Sequence, residues 1–286
     1  MPAALPRLLL AAALLGACLV PPSAGLSAEA PEPRSTAAVA GAAATPKVGR
    51  DISWPNCPKG MGIPSRRTLG LPMPSASSKL VVVGLTNGPG FTPNPCLESQ
   101  VAWVRAHHVY AAPYAFTTYP TAAQRKTYAT AGPYDGNTVN SKLRNTGYAQ
   151  AQFNVTNLKA AGLHASFIWV DVEPSRAPAP WSTSTSRNKA VVDGALRGYR
   201  DAGLQVGVYS TRALWQELVG DARYALPEWR TVGPATKAKA LKMCGQASFQ
   251  GGEAVLAQWW TDTRDYDVTC PAYSSKAQLK RFFVKY

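Results

Sequence analysis

Histidine is nearly absent: His107, His108 and His164 are the three in 286 residues. None stands at ligand spacing from a cysteine or carboxylate, and no C-x-x-C pair occurs, so a metal site is not expected. The chain carries no dinucleotide fingerprint, and no cofactor is expected. Acids are also few, with 16 Asp and Glu against 30 Lys and Arg and a net charge of +14. Before Lys47, Arg7 and Arg34 are balanced by Glu29 and Glu32. The whole excess of positive charge therefore belongs to the rest of the chain. Such a surface favours anionic partners, among them nucleic acid, anionic lipid and anionic cell-wall polymer. The bases are scattered, with no block of five or six, so charge alone does not choose among these.

The apolar run Leu8–Leu15 is too short to span a bilayer. With Arg7 before it, it has the form of an export signal over residues 1–28. Two endings are open. Leu15-Gly16-Ala17-Cys18 resembles a lipobox, in which Cys18 would carry a lipid anchor. Small residues at Pro22-Ser23-Ala24 or Leu26-Ser27-Ala28 offer ordinary cleavage. The apolar run continues through Leu19 and Val20, which favours release. The expectation is a secreted protein, or a lipid-anchored one at the cell surface, with no transmembrane segment. Residues 29–46 are rich in Ala, Pro and Glu and have the composition of a disordered tether. Residues 47–286 remain for a folded domain, expected as a monomer. With Cys18 set aside, Cys57, Cys96, Cys244 and Cys270 make an even set in an exported chain, hence two disulfides. Three pairings exist. Cys57–Cys96 and Cys244–Cys270, which join neighbours along the chain, are preferred.

The stretch Ala165-Ser166-Phe167-Ile168-Trp169-Val170-Asp171-Val172-Glu173-Pro174 organises the domain. Its apolar, β-branched and aromatic residues predict a buried strand that Pro174 stops. Side chains alternate along a strand, so Asp171 and Glu173 should face the same way. Each carboxylate raises the pKa of the other, and burial raises both. That suits a general acid beside an ionised partner. The competing reading is a strand end that turns polar as it enters solvent.

Seven further strands are predicted: Lys47–Trp54, Leu80–Thr86, Val109–Thr117, Leu204–Ser210, Ala225–Val232, Ala254–Trp260 and Asp265–Thr269. Helical patterns cover Leu97–His107, Lys142–Ala161, Arg187–Ala202, Thr211–Val219, Lys237–Met243 and Ser274–Phe283. The segment Thr118–Asn140 is poor in apolar residues and is expected as a long functional loop. Strands alternating with helices imply a parallel sheet. Eight strands predict a closed TIM-like (β/α) barrel, irregular, with reduced helices in its C-terminal third. Chemistry in such a barrel sits at the strand ends. Those ends carry Asp51, Asn87, Phe116, Asp171 with Glu173, Tyr209, Trp259 and Asp265. An acidic floor walled by aromatic rings suits a carbohydrate, whose faces stack on rings while carboxyls bind hydroxyls and protonate the glycosidic oxygen.

Asp51-Ile52-Ser53, Phe167–Glu173, Val208-Tyr209-Ser210 and Gln258-Trp259 with Asp265-Tyr266-Asp267 resemble the lysozymes of glycoside hydrolase family 25. Asp51–Pro55, Phe91–Cys96 and Val208–Thr211 resemble the glycoside-hydrolase-like domain of secreted actinomycete proteins. The resemblance implies an irregular β/α barrel that cuts peptidoglycan after N-acetylmuramic acid. By position it makes Glu173 the acid and Asp171 the partner that stabilises the transition state or orients the acetamido group. Asp51 and Asp265 match supporting carboxylates. Trp54, Asn87, Tyr114, Phe116, Tyr209 and Trp259 are the expected substrate contacts. Trp259 and Trp260 alternate faces, so only one can line a cleft. Trp54 and Tyr209 could equally be core residues, and Asp265 could exchange roles with Asp267. Tyr114-Ala115-Phe116 departs from the family's Tyr-His-Phe, and Asn56 takes the place of its first-strand glutamine. A catalytically inactive barrel binding cell-wall polysaccharide is the alternative. The acidic centre argues against a nucleic-acid binder.

Overall fold

The computed structural model describes residues 44–88, 90–175 and 179–286. The expected export signal, Cys18 and the tether as far as residue 43 lie outside the described residues.

In chain order the strands are β1 (Val48–Ile52), β2 (Gly62–Ile63), β3 (Arg66–Arg67), β4 (Leu80–Gly84), β5 (Tyr110–Phe116), β6 (Phe167–Asp171), β7 (Gln205–Ser210), β8 (Glu228–Pro234), β9 (Ala254–Thr261), β10 (Arg264–Thr269) and β11 (Val284–Lys285). The helices are α1 (Leu97–Ala106), α2 (Ala122–Tyr128), α3 (Val139–Ala160), α4 (Thr185–Asp201), α5 (Arg212–Val219), α6 (Lys237–Met243) and α7 (Lys276–Phe282). Strands β1, β4, β5, β6, β7, β8, β9 and β10 pair in that order, and β10 returns to β1. This is the closed, irregular β/α barrel that the sequence predicts.

Pairs from β1 to β9 are parallel. Strand β10 is antiparallel to both its neighbours, which corrects the expectation of an all-parallel sheet. Only Asp262 and Thr263 separate β9 from β10. A connection that short makes a hairpin and has no room for a crossover helix. Strand β5 is shared, its first half pairing with β11 and its second half with β6.

The two-residue side-chain period builds two cores. Leu80 and Val82 of β4, Phe167 and Trp169 of β6, Trp229 of β8 and Phe282 of α7 form one cluster, inside the barrel. Val81, Val83, Ile168, Val170 and Val208 meet the helices in the other, outer layer. Trp169 and Trp229 are almost wholly buried, and each ring withdraws roughly 200 Å² from water, worth about 5 kcal/mol. Gly207 makes room for Trp169 and Phe167: a Cβ there would lie 2.5 Å from the Trp169 ring and 2.7 Å from Phe167.

The segment expected as a loop from Thr118 to Asn140 contains α2. Thr121 accepts from the Gln124 N–H while the Gln124 side chain reaches back to the Thr121 N–H, a capping box that starts this helix. The preferred disulfides are both formed. Cys57–Cys96 ties the loop after β1 to the start of α1, and Cys244–Cys270 ties the end of α6 to the end of β10. Among the described residues no helix is long and apolar enough to cross a membrane.

Candidate active site

Phe167, Trp169 and Asp171 share the inward face of β6, and the same alternation carries Glu173 one pleat beyond. The strand's extension past Asp171 is fixed from both sides. The Val172 N–H donates to Tyr209 O at 3.0 Å, and Ser210 Oγ donates to Val172 O at 2.8 Å. The Thr117 N–H donates to Asp171 O at 2.9 Å, and Trp181 Nε1 donates to Glu173 O at 3.0 Å. Val172 is fully buried in the outer layer, so its neighbours on either side must face inward.

A cavity of about 410 Å³ opens at this end of the barrel, within the usual ~300–1,000 Å³ of a small-ligand cleft. Asp51 of β1, Asp171 and Glu173, and Asp265 of β10 all line it. Tyr114, Tyr209 and Trp229 supply aromatic wall, and Gln258, Trp260, Thr261 and Asp262 complete it.

Of the other expected contacts, Tyr114 and Tyr209 are in the wall and four residues are not. Trp259 faces outward, stacks on Tyr266 with ring centroids 5.2 Å apart and packs with Ala240 of α6. Gln258 reaches Asp51 inside the barrel, so Trp260, two residues on, has the inward face and Trp259 the outward one. Asn87 is fully buried, packed against Gly62 of β2. Trp54 is half-buried under the Arg66 guanidinium, 5.6 Å from its ring centroid. Phe116 lies opposite Asp171 in register, on the same face as Tyr114 but outside the cavity lining.

Residues 98–231 match the family described as Lysozyme-like protein 1. That span contains Asp171 and Glu173 and leaves out Asp51 and Asp265. Lysozyme-like protein 5 of Caenorhabditis elegans is 31% identical over 71 residues, which are 25% of this chain and 31% of that protein. The match thus spans under a third of that relative's length. Among solved structures, a muramidase from Acremonium alcalophilum has a TM-score of 0.55 at 14% identity, over 82% of this chain and 98% of its own. A family 25 lysozyme from Aspergillus fumigatus has 0.54 at 14%, over 83% and 99%. A bacterial lysozyme from Streptomyces coelicolor has 0.54 at 14%, over 82% and 96%. The fold is that of the family 25 lysozymes.

The open end of this lysozyme-type barrel concentrates acid. Besides Asp51, Asp171, Glu173 and Asp265 in the cavity wall, Asp267 lies one pleat below Asp265 on the same face of β10 and is wholly buried. Its Oδ1 accepts from Trp229 Nε1 at 2.8 Å, and its Oδ2 meets no donor. Gln258 Nε2 donates to Asp51 Oδ1 at 3.1 Å, while Tyr209 OH donates to Gln258 Oε1 at 2.8 Å and so fixes which way the amide points. Gln258 is not among the expected site residues, and Asp267 is expected there only in exchange for Asp265. The signal for both was in the sequence: a polar residue in an apolar strand at Gln258, and the i, i+2 acid pair at Asp265 and Asp267.

Burial pushes all five carboxyls above their ordinary range. Asp51 rises to about 7, through burial first and then the Asp265 charge, with the Gln258 hydrogen bond pulling the other way. Glu173 also rises to about 7, through burial and then Asp265. Asp171 is raised well above the usual carboxylate value by burial, then by Glu173 and Asp51, and its Oδ1 meets no donor. Asp267 is raised well above it by burial and Asp51. Asp265 is raised by burial, opposed by Arg50. So many acids in one depression cannot all ionise, and near neutral pH the cluster holds protonated and ionised carboxyls side by side. Acid–base work on a bound polar substrate needs that mixture.

Proposed function

We propose that the protein is a secreted glycoside hydrolase that cuts peptidoglycan, a muramidase, with Glu173 as general acid and Asp171 as its ionised partner. One observation carries the reading: four carboxyls from β1, β6 and β10 wall a single sugar-sized cavity in a barrel of the family 25 lysozyme fold. The Glu173 carboxyl gives its proton to the glycosidic oxygen as the bond to the anomeric carbon breaks. The Asp171 carboxylate offsets the positive charge that develops at the sugar, and a water then bonds to the anomeric carbon as its proton returns to Glu173. The Glu173 charge is the second-largest cause of Asp171's elevation, after burial, so proton transfer to and from Glu173 changes how readily Asp171 ionises. Asp265 supports the division of roles by holding Glu173 in its raised range. Tyr114, Tyr209 and Trp260 offer ring faces and hydroxyls to the glycan. Export by residues 1–28 and a tether over residues 29–46 belong to the proposal, and two disulfides fit an oxidising compartment.

Purified peptidoglycan digested with the protein should release reducing sugar. Glu173→Gln should lower kcat by about 10²–10⁴-fold, the usual worth of a placed general acid, and Asp171→Asn should also abolish useful turnover. A catalytically silent barrel that binds wall polysaccharide is the second reading, favoured by the net charge of +14. Salt-sensitive binding to cell walls without release of reducing sugar at any pH would select it.

A further inference from the structure

The hairpin of β2 and β3 sits at the same end of the barrel as the cavity, above the strand ends of β1 and β4. Its Arg66 is held by packing rather than by charge. The guanidinium lies over Trp54, which follows directly on Ser53 at the end of β1. It also lies flat against Gly88: a Cβ there would come within 2.3 Å of its Nη1 and 2.6 Å of its Nε. Gly88 has φ +79°, so neither a side chain nor an easy backbone adjustment can fill that space. Among the described residues, Arg66 has no carboxylate and no hydrogen-bond acceptor. Its neighbour Asn87 is 0% exposed, and neither its amide oxygen nor its amide nitrogen is bonded.

A guanidinium is always charged and carries five N–H donors in a rigid fork matched to carboxylate or phosphate. Half-buried, fixed against a ring and left unpaired, it is preorganised for an anion. The orphaned Asn87 amide, next to Gly88 in the chain, lies against Gly62 of the same hairpin. A chain of contacts leads from Trp54 to the cavity. Ser53 and Tyr114 meet across Gly84, where a Cβ would lie 2.5 Å from Ser53 Cβ and 2.8 Å from the Tyr114 ring, and Tyr114 lines the cavity.

We propose that Arg66, stacked on Trp54, is an anion-binding subsite beside the cleft, which takes a carboxylate or phosphate carried by the glycan strand bound there. The proposal rests on the muramidase reading for what fills the cleft. Its chemistry has two sources in a cell wall: the carboxylates of the stem peptides and the phosphodiesters of attached wall polymer.

The test is binding of the full chain to purified wall material in three states: intact sacculi and sacculi stripped of phosphodiester polymer with hydrofluoric acid, both read by sedimentation, and the soluble glycan strands that an amidase leaves after removing the stem peptides, immobilised through their reducing ends and read by surface binding. Arg66→Gln should weaken binding to intact sacculi about tenfold at low salt, the worth of one charge-assisted contact. Arg66→Lys should recover part of that, since it keeps the charge and loses the planar fork. If the difference from wild type disappears only after amidase, the ligand is a peptide carboxylate. If it disappears only after acid, it is a phosphate. Equal binding of Arg66→Gln and wild type to intact sacculi, with unchanged Tm, overturns the proposal. Glu173→Gln serves as the separate control: it removes turnover and leaves the Arg66-dependent binding in place, so the two readings fail independently.

Discussion

Trp181 Nε1 donates a hydrogen bond to the main-chain carbonyl of Glu173 at 3.0 Å, from a loop outside the barrel to the residue just past the end of β6. Pro174 follows and has no N–H, so the local chain cannot close on itself. The indole therefore does for Glu173 what a ladder partner does for Asp171: it sets where the main chain stops and hence where the carboxyl points. Trp181→Phe keeps most of the buried ring and removes only this donor. It should lower kcat roughly tenfold with little change in KM, because a misaimed acid costs chemistry rather than binding. Steady-state kinetics on soluble peptidoglycan fragments check it. An equal change in KM with kcat untouched would reassign Trp181 to substrate contact.

The raised Glu173 carboxyl fixes the direction of the pH dependence. A general acid works only while protonated, and Glu173 sits near 7 through burial and the Asp265 charge. The ratio kcat/KM should therefore fall as pH rises through about 7. Asp265→Asn removes the second of those two causes. The alkaline limb should then move to lower pH, by ~0.5–1 unit. A limb that stays put, or moves up, would remove Glu173 from the role of acid.

The same cluster links stability to pH. Asp51 has a folded-state pKa of about 7, against roughly 3.9 in the unfolded chain. Between those values the folded state holds a proton that the unfolded state has lost. Its contribution is complete below about 4 and is lost as pH rises through 7. Between pH 5 and 8 this one group should reduce stability by roughly 2–3 kcal/mol. Thermal unfolding should show Tm falling over that range. In Asp51→Asn the slope should flatten, since an amide stays neutral throughout.

What the sequence made legible follows from where its periodicity was strong. Phe167 to Val172 has the alternation and the β-branched content of one strand and no other element, so both the strand and the shared face of Asp171 and Glu173 could be derived. The stripe Val191, Val192, Ala195, Leu196 and Tyr199 did the same for α4, and these residues are buried against the outer core. The β2–β3 hairpin could not be found this way. Its strands are two residues each, too short for any period, and it is held by main-chain bonds such as Thr68 N–H to Met61 O at 3.0 Å. Helix α2 was hidden for another reason. It buries no residue, so it carries no apolar stripe, and only the Thr121–Gln124 spacing announces it. The direction of β10 depended on the length of one turn.

Both disulfides close long loops, with sequence separations of 39 for Cys57–Cys96 and 26 for Cys244–Cys270. Constraint of the unfolded chain on that scale is worth about 3.5–4 kcal/mol each. The two loops carry different parts of the molecule. Cys57–Cys96 pins the base of the hairpin that bears Arg66, while Cys244–Cys270 pins α6 on the far side. Replacing the first pair by alanine should lower both Tm and binding to sacculi. Replacing the second should lower Tm and leave binding as it was. Differential scanning calorimetry beside the sedimentation assay separates the outcomes.

Trp259 and Trp260 are consecutive, of one residue type, and on opposite faces of one strand, so they test the placement of the cleft directly. Trp259 is 8% exposed, stacked on Tyr266 and packed under α6. Trp259→Ala should leave an outer-core hole and cost about 3–5 kcal/mol of stability, with KM unchanged for the folded fraction. Trp260 lines the cavity beside Gln258 and Asp265 and is half-buried. Trp260→Ala should cost little stability and raise KM for glycan fragments roughly fivefold to tenfold, through loss of a ring face for a sugar to stack on. Urea unfolding and initial-rate kinetics on the two variants give four numbers. If the stability loss falls on Trp260→Ala and the KM change on Trp259→Ala, β9 has the opposite face turned to the barrel interior, and Gln258 can no longer be the residue that holds Asp51.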